Sequence, residues 1–348
     1  TAALTVNASS LSGATTLQTV AADKDITVSG AITNNTNGNT LTLMSSRDII
    51  VSANISGATG KSLNTNFYAN TDNLGAGGYS QSSVISTFGG NVLIRGGTTD
   101  TTAGCAAAYN CIAGYANGNT ITNNIGVSLT STSSINAAGG NIAMYDMGNT
   151  VASSSGDGIR VVGNAGANSL ATTGTGTITL DGKATGGHNG MRITDAGLSA
   201  GTGLISLTGT SLSTSSYDGV RLEASSSINT SGALSVAGTG GSAHFGVWFT
   251  GTGSVNAVGN ITINGQNPNG NWGTYLDSAY NIKTTTGNIS LTGSGQSGIY
   301  AYANLLAGNS TTPTSGGTIT LNGTATGGSV ANYGIRVDTG SLISYGAM

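Results

Sequence analysis

Carboxylates are the groups in this 348-residue chain best suited to catalysis, and the chain has only 13 acidic residues. Polysaccharide-cleaving enzymes need two or three carboxylates that converge on one spot. Asp157 and Asp218 occupy matching places, each directly before a glycine that opens a repeated phrase, but Asn189 takes that place in the repeat between them. We therefore predict that these residues form corners and assign no catalytic residue. A carbohydrate-active enzyme is the alternative.

The two histidines, His188 and His244, each lie just before one of the same phrases. A zinc site needs three or four ligands at close spacing, and neither histidine has a third ligand aligned with it. The nonapeptide repeat that binds calcium is absent from the sequence. We predict no metal site and no cofactor.

The only two cysteines, Cys105 and Cys111, are six positions apart in a segment rich in alanine. No histidine or acidic cluster accompanies them, which disfavours a metal site, and their spacing is not that of a redox motif. In a chain with so little charge we expect them to form a disulfide that closes a short loop.

A third set of residues could provide a binding surface. The phrase Gly-apolar-X-apolar recurs, and the outward residue X is large in seven consecutive repeats. These residues are Arg160, Arg192, Arg221, Trp248, Tyr275, Tyr300 and Arg336. Stacked about 4.8 Å apart, they could shield the sheet, bind sugar rings or pack against a neighbouring rod.

The elements that must position these residues are short repeated strands. Between residues 176 and 337 the Gly-apolar-X-apolar phrase alternates with a second phrase of the type Gly-Thr-Ile-Thr-Leu. The leading apolar residues of that second phrase are Ile178, Leu204, Leu234, Ile261, Ile289 and Ile319, which we expect in one buried file. A third apolar position falls in each repeat at Leu198, Ile228, Val255, Ile282, Leu305 and Leu342.

Three strands in a repeat of about 28 residues predict an all-β fold, a right-handed parallel β-helix with a core of stacked apolar columns. We expect one elongated domain over residues 1–348 with roughly 12 turns. Regular repeats cover 127–345, whereas earlier turns are looser, with insertions near 69–80 and 96–119. Neither end shows a cap, which suggests a segment of a longer chain.

Composition restricts the function further. The chain has 58 glycines, 2 prolines, 7% charged residues and a net charge of −3. Without a cluster of Lys and Arg it is a poor partner for nucleic acid. No apolar run reaches the eighteen or so residues of a membrane span, so we predict no membrane insertion.

Several phrases resemble the shaft of filamentous-haemagglutinin-like exoproteins of Gram-negative bacteria. They are residues 25–32 (DITVSGAI), 38–43 (GNTLTL), 47–55 (RDIIVSANI) and 89–94 (GGNVLI). The resemblance implies two-partner secretion through an outer-membrane barrel, a location outside the cell or on its surface, and a role as an adhesin or biofilm component. The family's secretion motif is not matched, because Asn267-Pro-Asn-Gly270 is followed by Asn271 rather than a bulky apolar residue.

These observations together predict a non-enzymatic shaft that forms a rigid rod or an extracellular filament. The expected partners are further copies of the chain, packed side by side or end to end, and a host or surface glycan. The resemblance adds the outer-membrane secretion partner.

Overall fold

The computed structural model describes residues 3–7, 9–72, 77–96, 116–117, 125–148, 156–164, 168–184, 186–212, 216–277, 279–308, 317–327, 332–338 and 340–345. Across these residues the chain is a parallel β-helix, as predicted, in which each strand pairs with the equivalent strand one turn earlier and one turn later. Three sheets run along the stack. Within the described residues, no helix is long and apolar enough to cross a membrane.

Sheet 1 contains β1 Leu4–Val6, β4 Ile26–Val28, β7 Ile49–Val51, β10 Tyr79–Gln81, β14 Val127–Leu129, β17 Ile159–Val162, β20 Met191–Thr194, β23 Val220–Glu223, β26 Phe245–Phe249, β29 Trp272–Leu276, β32 Ser297–Ala301 and β35 Ile335–Val337. Twelve strands at about 4.8 Å spacing make a stack about 55 Å long.

Sheet 2 follows sheet 1 around each turn. It contains β2 Ser9–Leu11, β5 Ile32–Asn34, β8 Ile55–Gly57, β11 Val84–Ser86, β15 Ser134–Asn136, β18 Asn168–Ala171, β21 Gly197–Ala200, β24 Ser227–Thr230, β27 Ser254–Ala257, β30 Asn281–Thr284, β33 Asn304–Ala307 and β36 Leu342–Ser344. The predicted third apolar positions, from Leu198 to Leu342, pair in register along this sheet.

Sheet 3 completes the turn. It contains β3 Thr15–Gln18, β6 Asn39–Met44, β9 Leu63–Tyr68, β12 Val92–Arg95, β16 Ile142–Gly148, β19 Ile178–Ala184, β22 Ile205–Ser211, β25 Leu234–Thr239, β28 Ile261–Gln266, β31 Ile289–Gly295 and β34 Ile319–Ala325, with the short β13 Ala116–Asn117 paired to β16. Alternate residues of all three sheets point inward and form the apolar core.

The prediction is wrong for one residue of the apolar column expected in the core. Leu204 is 42% exposed, and Ile205 takes its place, paired with Ile178 on one side and Leu234 on the other. The other register would have placed Ser206 inside, whereas the observed one buries Ile205 and Leu207 together. Ile178, Leu234, Ile261 and Ile289 are buried as predicted, and Ile319, in the last described strand of sheet 3, is partly buried.

One strand of sheet 3, β9, was not predicted from the sequence. Leu41 and Val92 are 51 positions apart in the sequence, and the segment between them contains β9, in which Thr65 pairs with both of those residues. The inward residues of β9 are Leu63, Thr65 and Phe67, and the polar middle position hides the apolar alternation. Much of the apparent excess length before Val92 is therefore an ordinary turn of the helix.

The predicted insertions and the predicted disulfide lie largely outside the described residues. Within 69–80, Ala69 and Asn70 are buried and Tyr79 already belongs to sheet 1, while 73–76 lie outside the described residues. Val92 pairs directly with Ile142, so β12 and β16 are neighbouring strands of sheet 3, one turn apart. Cys105 and Cys111 lie outside the described residues.

Two columns of glycine line the corner where sheet 3 leads into sheet 1. One is the predicted column, Gly158, Gly190, Gly219, Gly246, Gly273, Gly298 and Gly334. The other lies inside the sheet 3 strands at Gly182, Gly209, Gly238, Gly265, Gly293 and Gly323, in register from turn to turn. A Cβ on Gly238 would collide with the backbone carbonyl of Gly246. These glycines let two strands of one turn come into direct backbone contact.

Candidate functional site

The structure brings the seven predicted outward residues together on sheet 1. Each pairs with the next in register: Arg160 with Arg192, Arg192 with Arg221, Arg221 with Trp248, Trp248 with Tyr275, Tyr275 with Tyr300, and Tyr300 with Arg336. We call this surface the ring-and-arginine face. The strand pattern explains it, because Val247 and Phe249 are buried in the core and Trp248 between them must point outward.

The early end of the face is a cluster of arginines around one carboxylate. Glu223 lies 2.6 Å from Arg192 Nε through Oε1 and 2.7 Å from Arg221 Nε through Oε2. Thr194 Oγ1 donates a further hydrogen bond of 2.7 Å to Oε1. Burial works to raise the pKa of Glu223, but the hydroxyl and the two guanidinium groups outweigh it and hold the pKa below its usual value.

Arg160 stands at the outer edge of this cluster. It pairs along the backbone with Arg192, but its side chain makes no ion pair or hydrogen bond with any described part of the chain. Glu223 is shared by Arg192 and Arg221, and Arg221 also lies 4.0 Å from the buried carboxylate of Asp218. The buried carboxylate of Asp157 is near Arg160 and Arg192. Burial raises the pKa of Asp157 and of Asp218, whereas the pKa of Glu223 is lowered, so guanidinium groups outnumber the readily ionised carboxylates at the early end.

The middle of the face is a cluster of aromatic rings. The centroids of Tyr275 and Tyr300 are 4.7 Å apart, and Phe245 lies 4.9 Å from Tyr275 and 5.1 Å from Trp248. The Arg221 guanidinium sits over Trp248 at 4.2 Å from the ring centroid, a cation–π contact that joins the two clusters.

The late end joins rings to a second charged pair. Tyr300 donates a hydrogen bond of 2.7 Å to Asp338 Oδ2, and Arg336 lies 2.8 Å from the same oxygen. The guanidinium of Arg336 also lies over the rings of Tyr300 and Tyr333, at 5.1 and 5.5 Å. Trp272 and Tyr333 are nearly parallel, with 5° between their planes and 6.4 Å between their centroids. Tyr333 is 44% exposed.

The residues flanking the column were not identified as part of it from the sequence. Phe245, Trp272 and Tyr333 stand three positions before a column residue, while Glu223 and Asp338 stand two positions after one. Counting from each column residue would have revealed the two acids, because residues two apart in a strand share a face. It would not have revealed the rings, because residues three apart in a regular strand lie on opposite faces. The glycine between the flanking ring and the strand interrupts that simple alternation.

Asp157 and Asp218 form part of a ladder at the corner before sheet 1. Asp157 Oδ1 accepts the backbone N–H of Asn189 at 3.1 Å and its side-chain amide at 3.0 Å. Asn189 Oδ1 accepts the N–H of Asp218 at 3.0 Å, and Asp218 Oδ1 accepts that of Phe245 at 3.1 Å. Each side chain thus binds the backbone one turn further on, which supports the prediction that these residues form corners.

The environment of both carboxylates favours the protonated form. Burial raises the pKa of Asp157 despite Arg192, Asn189, His188 and Arg160 nearby, since desolvation of the charged form is the larger effect. Burial likewise raises the pKa of Asp218, although His244 Nδ1 lies only 2.6 Å from its Oδ1. His188 packs against Tyr217 at 5.0 Å between centroids. In the described part of the chain no three His, Cys, Asp or Glu residues are grouped to hold a metal.

Asp157→Asn is expected to raise the free energy of unfolding at neutral pH. Because the folded pKa of Asp157 lies above that of an unfolded Asp, about 3.9, its favourable contribution is complete below that value and is lost as pH rises through the folded pKa. The amide keeps the acceptor oxygen and cannot ionise. Urea unfolding at a series of pH values should show near-equal stability at low pH and a growing advantage of the variant above it.

Asp25→Asn is the matched control, because Asp25 lies at the same corner, one register position later, also accepts a backbone N–H of the next turn, and should behave in the opposite way. Burial works to raise its pKa, but hydrogen bonds from Arg47 at 2.7 and 2.5 Å outweigh burial and lower the pKa. Its stabilisation is present above the unfolded pKa and lost as pH falls. A stability loss at neutral pH in both variants would contradict the assignment of a buried, proton-retaining Asp157.

The geometry supports binding better than bond cleavage: rings, guanidinium groups and the partly exposed carboxylate of Asp338 share one face, while Asp157 and Asp218, whose pKa values are raised, are buried in backbone ladders. Comparisons with protein-family models, curated proteins and solved structures give no match to this chain.

Proposed function

We propose that this chain is a rigid, non-enzymatic rod, a structural and adhesive shaft in a large bacterial exoprotein. The observation that carries the proposal is the unbroken stacking of sheet 1, sheet 2 and sheet 3 from β1 to β36. Every turn shares its core columns with its neighbours, so bending the stack in any direction would separate apolar contacts between turns on the outer side of the bend. Long apolar columns under a surface of Thr, Ser and Asn suit a load-bearing spacer.

The position of the acids supports a non-catalytic role. A glycosidase places its acid and its nucleophile or base on either side of a bound sugar. Here the Asp157 and Asp218 carboxylates accept backbone N–H groups of the following turn and are 3% and 0% exposed as residues. Both carboxylates therefore hold neighbouring turns together, and they do not form an acid–base pair that faces solvent.

The extracellular assignment rests on the resemblance of the repeated phrases. The phrases at 25–32 and 47–55 each supply a sheet 1 strand, a tight corner and the start of a sheet 2 strand, β4 then β5 and β7 then β8. The exoproteins whose shafts these phrases resemble form long β-helical rods, and that resemblance is the basis of the proposal. We accordingly propose secretion by a Gram-negative bacterium through an outer-membrane partner, and a place at or beyond the cell surface.

No turnover is expected when the chain is incubated with a panel of acidic and neutral polysaccharides. Release of reducing ends should not exceed that of the Asp157→Ala/Asp218→Ala double variant. Turnover by the wild-type chain that the double variant loses would replace the shaft with the alternative, a carbohydrate-active β-helix enzyme.

Negative-stain images decide whether the shaft also assembles. Separate rods about 55 Å long at high protein concentration would indicate a spacer that does not polymerise by itself. Filaments many times longer would indicate a fibre subunit, the second form that the proposed structural role could take.

A further inference from the structure

We propose that the ring-and-arginine face binds an acidic oligosaccharide that lies along the axis of the stack, with its acid group at Arg160 and Arg192 and its sugar rings on the aromatic cluster. This inference rests on the proposed adhesive role and specifies the ligand class for it.

The charge distribution selects an acidic ligand. Arg160 makes no ion pair or hydrogen bond with the described residues, although the buried carboxylate of Asp157 is near it, and its neighbours Arg192 and Arg221 share Glu223. A carboxylate or sulfate brought to Arg160 gains a charge-assisted, bidentate contact that the protein itself does not supply. Arg192 is 32% exposed in its side chain and can contribute to the same anion.

The aromatic cluster selects a ligand with apolar faces and polar edges. Sugar rings present C–H groups on their faces and hydroxyls around their rims, so they pack on aromatic rings and hydrogen-bond to neighbouring carboxylates. Tyr275 lies at the centre of the cluster, next to Phe245 and Tyr300. Asp277, two positions after Tyr275, and Asp338, two after Arg336, provide carboxylates beside the rings.

The spacing of the face suits a chain of sugars that runs along the axis. Successive side chains of the column are separated by one strand spacing, about 4.8 Å, which is close to the length of one residue in an extended polysaccharide. From Arg160 to Arg336 the face spans seven strands. A ligand of several sugars can therefore reach from the arginine cluster to the rings at Tyr275 and beyond.

The size of the face argues against a second rod as the occupant. Seven strands of three to five residues, about 10 to 17 Å long, over an axial length of about 30 Å give about 300 to 500 Å², below the roughly 800 Å² per partner of a stable protein interface. The sheet 1 positions that continue the column toward β1 are smaller or uncharged: Ser128, Ser80, Ile50, Thr27 and Thr5. The face is thus a patch of limited length rather than a strip along the whole stack.

Calorimetric titration of the full chain with defined hexasaccharides tests the proposal. The probes are hexamers of galacturonic acid and of chondroitin sulfate as acidic ligands, and a hexamer of chitin as the neutral one. We expect the acidic probes to bind at least about tenfold more tightly than the neutral probe. Raising the salt from about 0.05 M to about 0.5 M should weaken only the acidic probes, because screening acts on the charge contacts.

Two variants separate the charge contact from the ring contact. Arg160→Gln should weaken acidic binding by about fivefold to tenfold and leave neutral binding unchanged. Tyr275→Ala should weaken both. Tyr68→Ala is the matched control: it removes another ring paired with an arginine, Arg95 at 5.3 Å, on sheet 3, and should change neither.

Equal affinity for acidic and neutral probes, or no binding at millimolar concentration, would overturn the proposal. So would a dimer in analytical ultracentrifugation that Tyr275→Ala dissociates, since the face would then be a contact between rods. Thermal unfolding of every variant is measured beside the titrations. A chain that keeps its stability and rod shape but binds no acidic sugar would reject this ligand and leave the shaft proposal standing.

Discussion

Gly238→Ala is expected to lower the free energy of unfolding by at least about 3 kcal/mol, at the upper end of overpacking effects. A Cβ at this position would collide with the carbonyl of Gly246 and lie 2.8 Å from a methyl of Val247. The main obstacle is backbone that is itself held in sheet 1, so no rotamer change can relieve the contact. Gly238 has no positive φ, and its requirement for glycine is therefore one of space.

The two tryptophans allow the loss of stability in Gly238→Ala to be measured in the turns that the substitution affects. Trp248 and Trp272 lie on β26 and β29, within two turns of Gly238, so urea unfolding followed by their fluorescence reports on the affected turns. Local measurement matters because distant turns of a solenoid unfold partly independently. Gly13→Ala is the control, since a Cβ there meets nothing within 4 Å and φ is not positive. It should change stability by less than about 1 kcal/mol.

Equal stability of the Gly238→Ala and Gly13→Ala variants would show that the corner between sheet 3 and sheet 1 is looser than the structure describes. The second glycine column was not predicted, although Gly182, Gly209 and Gly238 recur at a constant distance from the strand start. A glycine within a strand is ordinarily attributed to weak strand propensity or a bulge. The structure shows that both glycine columns are required at the same place, where the backbone of a sheet 3 strand contacts the backbone of the following sheet 1 strand.

The fold was largely predictable because side-chain alternation and repeat length are both local signals. Strands with two inward apolar residues, such as Ile178 and Leu180, were found correctly. The strand predictions failed where the apolar-polar alternation was interrupted or allowed two registers. Thr65 made β9 look polar, and the adjacent Leu204 and Ile205 offered two registers that only packing against neighbouring turns could resolve.

The candidate site was predictable in its centre and less so at its edges. A residue that recurs between two buried apolar positions must point outward, which places Arg160 through Arg336 in one column. The partners that give the column its chemistry come from corners and strand ends. Glu223 bridges two arginines of different turns and Asp338 binds Tyr300 of the preceding turn, contacts that depend on side-chain conformation and not on spacing alone.

Ile205→Ala and Leu204→Ala form the pair of substitutions that tests the register of sheet 3. The residues are adjacent and of equal size, but Ile205 is 0% exposed and Leu204 is 42% exposed. Ile205→Ala removes buried methyl groups between Ile178 and Leu234 and should cost about 2 to 5 kcal/mol, since packed neighbours cannot close the cavity. Leu204→Ala should cost less than about 1 kcal/mol.

Urea unfolding with tryptophan fluorescence measures the free energy of unfolding of both variants, and hydrogen exchange at the Leu207 amide gives an independent local value. The reverse order of effects would mean that Leu204 faces the core. Every side chain of β22 would then be turned over, and its pairing with β19 and β25 would have to shift by one residue.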